Sequence, residues 1–68
     1  MNRILSLNVT LQESNQRVDI FVNKKESFLS RTRVKNLILE GKLKLNNKII
    51  VNPSKKVING DKIELEIP

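Results

Sequence analysis

Cysteine, histidine, tryptophan and tyrosine are all absent from this 68-residue chain, and phenylalanine, glycine and proline occur only twice each. Each absence removes a class of chemistry. Without thiolate or imidazole there are no disulfides, no Cys/His zinc sites, no thiol nucleophiles and few routes for a proton shuttle. Two isolated glycines, Gly41 and Gly60, cannot build a glycine-rich phosphate loop. No apolar run approaches the roughly 20 residues of a membrane-spanning helix. Arg3-Ile4-Leu5-Ser6-Leu7-Asn8 is too short and too polar for a signal peptide, so the cytoplasm is the expected compartment.

What remains is mostly aliphatic and basic. The hydrophobic fraction, 38%, is modest but patterned, which indicates one small folded domain rather than disorder. At this length the core is near the lower limit that holds a chain without metal or disulfide. The net charge of +6 is unevenly spread. Residues 17–56 hold eleven Lys/Arg against Asp19, Glu26 and Glu40, a surplus of eight, whereas residues 57–68 carry Lys62 against Asp61, Glu64 and Glu66. A charge excess confined to the middle of the chain points to an acidic partner.

The most legible stretch runs from Ser30 to Lys48. Ser30 is a helix start signal, Val34, Leu37 and Ile38 form an apolar face at i, i+3, i+4 spacing, and Gly41 is a stop signal. Arg31, Arg33 and Lys35 crowd the first turns, where the helix dipole is already positive. Each cation there costs a few tenths of a kcal/mol, up to about 1, so stability alone favours Asp or Glu. The arrangement makes sense if an anion docks at the helix start, where a phosphate meets free N–H donors, the dipole and guanidinium forks together.

Taken in order, residues 4–11 alternate, with Leu5, Leu7, Val9 and Leu11 on one side, as in a half-buried strand; Ile4 fits this pattern less well. Val18, Phe21 and Val22 then share a helical face, giving a first helix over about residues 17–25, from which Ile20 falls away. Phe28 and Leu29 are expected to pack over the start of the second helix, Leu29 as a hydrophobic staple, and both phenylalanines are read as core rather than base-stacking platforms. After Gly41, Leu43 and Leu45 point inward and Lys42 and Lys44 outward. Asn46-Asn47 supplies the positive φ angles of a two-residue hairpin, although Gly would be easier at the second place. Ile49-Ile50-Val51 returns as the partner strand. Asn52-Pro53 breaks it, Ser54-Lys55-Lys56 forms a basic loop, and Asn59-Gly60-Asp61 turns the chain into a last strand with Ile63, Leu65 and Ile67 on one face. There is no internal repeat, linker or low-complexity tract.

An active site needs a nucleophile or an acid–base pair held by a third group, and little here can build one. Asp19 on a short helix and Asp61 in a turn are read as a solvent-exposed charge and a turn former. Ser30 and Lys35 could form a Ser–Lys couple, but the cap role of Ser30 is more economical. Binding is left. The scarcity of aromatics disfavours stacking readers of single strands and favours contact with the phosphates of a folded nucleic acid. A helix pair entering a DNA major groove is disfavoured, because Asn36 is the only amide fork near the basic residues.

Arg17-Val18-Asp19, Ser30-Arg31-Thr32-Arg33-Val34-Lys35-Asn36-Leu37-Ile38, Gly41-Lys42-Leu43, Leu45-Asn46-Asn47-Lys48, Pro53-Ser54, Val57 and Gly60-Asp61-Lys62-Ile63 follow one another in an order and spacing that resembles the S4-type RNA-binding domain. About three quarters of the chain is covered. The first strand and the Gln16-Arg17-Val18-Asp19 junction resemble, more narrowly, the N-terminal module of bacterial pseudouridine synthases that modify large-subunit ribosomal RNA. The family implies a small α+β S4-like (alpha-L) fold, two packed helices against a small, mostly antiparallel sheet. Residues 1–15 would supply an N-terminal strand and connection, and 16–68 the S4-type unit, within a single domain. In that family a separate, larger domain carries the catalytic Asp, so the resemblance implies an accessory module of an enzyme, with no catalytic residue, metal or cofactor of its own. Asn47, where the family usually has Gly, and Ile20, where a polar or basic residue is common, depart from the pattern.

Carried over by position, the RNA-facing residues are Arg31 and Lys35 first, then Arg33. Lys42, Lys44, Lys48, Lys55 and Lys56 follow as peripheral phosphate contacts, and Arg17 comes last, since it could instead brace the helices. The implied partner is structured RNA, ribosomal in that family, with a covalently linked catalytic domain beside it and neither membrane nor DNA. Two alternatives stay open: a protein-interaction module whose basic face docks on an acidic partner, and a free-standing S4-type protein that acts on ribosomes by itself.

Overall fold

The structure, a computed structural model, describes residues 3–68. Its elements are β1 (Arg3–Asn8), a 3-10 turn (Leu11–Glu13), α1 (Val18–Lys25), α2 (Arg31–Leu39), β2 (Leu43–Leu45), β3 (Lys48–Ile50) and β4 (Lys62–Ile67). The strands form one antiparallel sheet in the order β1-β4-β2-β3, and the two helices pack together against one side of it. This is the α+β arrangement of a small S4-like fold.

Period-2 alternation places the apolar side chains in rows across the sheet. In register, Leu5 pairs with Leu65, Leu65 with Leu43 and Leu43 with Ile50; the next row runs Leu7, Ile63, Leu45. The helices close over these rows with Val18, Phe21, Val22, Val34, Leu37 and Ile38, all fully buried. Leu29 and Val34, at the positions of a hydrophobic staple, share the same core.

Local chemistry sets the ends of α2. The Ser30 Oγ accepts a hydrogen bond from the Arg33 backbone N–H at 3.0 Å. At the other end Gly41, with φ +80°, lets its own N–H reach the Ile38 carbonyl and the Lys42 N–H reach the Leu37 carbonyl, both at 3.0 Å. That is a Schellman motif, and it sends the chain into β2. The β2–β3 hairpin turns on Asn46 and Asn47 with φ of 52° and 69°, both left-handed as a two-residue turn of this kind requires. Asn46 also has a tertiary role: its amide donates to Asp61 Oδ1 at 3.0 Å and accepts from the Lys62 N–H at 2.9 Å.

Four expectations are corrected. The first strand stops at Asn8, and Leu11, expected inward, is 74% exposed. Glu13 accepts hydrogen bonds from the Thr10 N–H at 3.0 Å and the Thr10 hydroxyl at 2.9 Å, which bends the chain into the 3-10 turn. Lys25, at the end of α1, pairs with the same carboxylate and, with the Thr10 amide, holds its pKa below the ordinary value. Phe28, expected in the core, is 58% exposed. The Glu26–Leu29 turn, closed by Leu29 N–H to the Glu26 carbonyl at 3.0 Å and by the Asn23 amide to the Leu29 carbonyl at 2.6 Å, directs Leu29 inward instead. Val51 lies beyond β3, which ends at Ile50. Asp19 is not a solvated charge but 3% exposed, and Asp61, though a turn former, is also buried.

The Asp61 carboxylate accepts from the Ile58 N–H at 2.9 Å and from the Asn46 amide, tying the last turn to the hairpin. Asp61→Ala leaves both donors without their partner and is expected to lower unfolding free energy by about 1–3 kcal/mol. Urea titration should show the midpoint falling at constant slope.

Candidate nucleic-acid interface

Two helix starts and one loop meet at the basic end of the domain. Arg17, the residue that opens α1, makes no side-chain cap; the first two amides of the helix are satisfied by backbone carbonyls of the Pro53–Lys56 loop. The Val18 N–H donates to the Lys55 carbonyl at 2.7 Å and the Asp19 N–H to that of Pro53 at 3.3 Å, while Arg17 and Lys56 form an isolated antiparallel bridge. The basic loop is thereby fixed beside the residue that opens α1.

Arg17 and Asp19 form a two-point ion pair, Nε to Oδ1 at 3.2 Å and Nη2 to Oδ2 at 3.0 Å. Asp19 Oδ1 also accepts the Ile20 N–H at 2.8 Å. This buried carboxylate therefore holds the half-exposed guanidinium in a single orientation, with N–H groups left over for a further acceptor. Across from it stand Arg31 and Lys35, one helical turn apart on α2. Arg17, Asp19, Arg31, Thr32 and Lys35 line one open hollow of about 450 Å³. One carboxylate against three cations leaves it with a surplus of two positive charges. Among the described residues, no carboxylate lies within ion-pair distance of Arg31 or Lys35.

The other expected residues are dispersed. Arg33 lies two residues from Arg31, about 200° around the helix, and does not line the hollow. Lys42 and Lys44 line a separate depression with Ile4, Ile49, Glu64 and Glu66, and Lys44 pairs in register with Glu64. Lys48 opens β3 at the hairpin tip, and Lys55 and Lys56 are exposed on the loop beside Arg17. Sequence reasoning missed Asp19 and Thr32 as parts of the hollow. The available signal was Arg17-x-Asp19 at a helix start, where an acidic residue is already favoured by the dipole. Among the described residues, no group of three or more Asp or Glu is placed to hold a metal ion, and no helix is long and apolar enough to cross a membrane.

The S4 domain family model matches residues 16–63, a span that holds every residue of the hollow and all nine cations expected at the interface. The chain belongs to the S4 domain family. S4 domains are RNA-binding modules, which is the functional class the basic hollow answers to. The S4 domain is also 30% identical over 63 residues to a protein of Vibrio parahaemolyticus named ribosomal large subunit pseudouridine synthase D. The alignment covers 93% of this chain and 19% of that relative, so the S4 domain spans about a fifth of the synthase's length.

Proposed function

We propose that this S4 domain docks on structured ribosomal RNA by seating backbone phosphates in the hollow between the starts of α1 and α2, and that it serves as the RNA-docking module of a pseudouridine synthase. The observation that carries this reading is the convergence of Arg17, Arg31 and Lys35 on one hollow with only Asp19 to offset them. Arg31 and Lys35 contact phosphate directly. Arg17, oriented by Asp19, offers its remaining N–H groups. Lys55 and Lys56 extend the positive surface along the loop, and Lys48, Arg33, Lys42 and Lys44 act at longer range. The chain matches only about a fifth of the relative's length, and we assign the reaction named for that protein to the part of such an enzyme beyond this span.

Phosphate neutralisation releases counterions, so the logarithm of the affinity falls linearly with the logarithm of the salt concentration, at a slope of about −0.7 to −0.9 per phosphate. Three cations in the hollow predict a slope of about −2 to −3 for a folded ribosomal RNA fragment. Arg31→Ala should reduce the steepness by about one contact and weaken binding while leaving the thermal midpoint in place, because Arg31 is exposed. Filter binding or fluorescence anisotropy across a salt series measures both. Unchanged affinity and slope in the variant would remove the hollow from the interface.

A further inference from the structure

One aromatic of the two in the chain stands at the surface with a guanidinium over it. Phe28 is 58% exposed, and the Arg3 guanidinium carbon lies 5.4 Å from its ring centroid. The loop that carries Phe28 is held rather than loose: Leu29 N–H bonds the Glu26 carbonyl at 3.0 Å, the Asn23 amide bonds the Leu29 carbonyl at 2.6 Å, and Ser30 caps α2 two residues on. Leu29, the next residue, takes the core position, so Phe28 forgoes the burial energy of a phenylalanine side chain by facing water. Phe28 also lies three residues before Arg31, and two residues of chain span at most about 7 Å between Phe28 and the Ser30 cap.

We propose that Phe28 and Arg3 form a stacking platform for an unpaired nucleobase of the bound RNA. The proposal rests on the RNA-docking reading and adds to it a preference for RNA with unpaired bases beside the helical phosphates. Aromatic rings and arginine planes both accept a base face, and a guanidinium already parked over the ring presents a planar cation to the next layer of the stack. An apolar protein partner is the competing occupant. It is disfavoured because the neighbour across the ring is a cation, and because the chain immediately following is the basic start of α2.

The test compares two RNA probes of equal length with the full chain: a hairpin with a loop of unpaired adenosines, one of them 2-aminopurine, and a blunt duplex. Wild type should prefer the hairpin by about 10-fold and shift the 2-aminopurine fluorescence on binding. Phe28→Leu should lose most of that preference and the fluorescence change, Phe28→Trp should keep both, and the salt slope should stay unaltered in each, since no phosphate contact is removed. Arg31→Ala is the control for the docking reading. Reduced affinity in Arg31→Ala together with hairpin binding indifferent to Phe28→Leu overturns the platform alone. Affinity and slope indifferent to Arg31→Ala overturn the docking reading, and absence of RNA binding by wild type overturns both. Loss on Phe28→Leu of a protein contact, with RNA preference intact, assigns the ring to a protein partner and overturns the platform.

Discussion

Phe21→Ala is expected to leave most of the chain unfolded near 37 °C. Phe21 is the bulkiest of the fully buried side chains, 1% exposed, and belongs to the single core cluster that α1 and α2 share with the sheet. Truncating a buried phenylalanine costs about 3–5 kcal/mol, combining lost transfer energy with the cavity left behind. A domain of this length has a total stability of only about 3–10 kcal/mol at typical per-residue values. The loss is therefore comparable with the whole, and a chain without cysteine has no disulfide to compensate. Far-ultraviolet circular dichroism against temperature should show a low-temperature or absent transition. Phe21→Leu, which keeps most of the volume, should retain a cooperative one. A Phe21→Ala protein melting within a few degrees of wild type would mean that the core collapses around the gap, contrary to the packing described above.

The largest effect on function is expected from reversing the charges that face the hollow. Arg31→Glu with Lys35→Glu should weaken binding to structured RNA by at least about 100-fold at moderate salt, because each lost charge-assisted hydrogen bond is worth about 1.5–3 kcal/mol. Repulsion between the new carboxylates and phosphate adds to the loss. Stability should move the other way. An acidic residue in the first turn of a helix is favoured by about 0.3–1 kcal/mol over an unfavourable cation, so Arg31→Glu should hold or raise the thermal midpoint. Both side chains are exposed, and no ion pair among the described residues is broken by changing them. Opposite signs in the two measurements separate a binding defect from an unfolded protein. A double variant that binds like wild type would place the RNA elsewhere, with the Lys42 and Lys44 side of the sheet the next surface to examine.

The same opposition of signs explains why α2 was so readable. A run of cations at a helix start runs against local stability, and a conflict of this kind is where a functional role is expected. Asp19 shows the reverse case. An aspartate in the first turn of a helix needs no special explanation, so the Arg17-x-Asp19 spacing was easily passed over and the burial of Asp19 was not legible from it. Phe28 and Leu29 are equally apolar neighbours, and the staple position next to the Ser30 cap marked Leu29 as inward without showing that Phe28 faces out. The Asn23 and Glu26 contacts that turn Leu29 inward settled the choice.

Sequence by itself determined the two helices and their inward faces, the Ser30 and Gly41 ends of α2 and the Asn46-Asn47 hairpin. These depend on interactions between residues a few positions apart, where periodicity and capping act. Tertiary structure alone decided that β4 lies between β1 and β2, that the Pro53–Lys56 loop completes the start of α1, and that Arg17 faces the same hollow as Arg31 and Lys35. Those arrangements join residues far apart in the chain. They follow from which backbone donors and acceptors remain unpaired once the core has closed, and that is set by the packing of the whole domain.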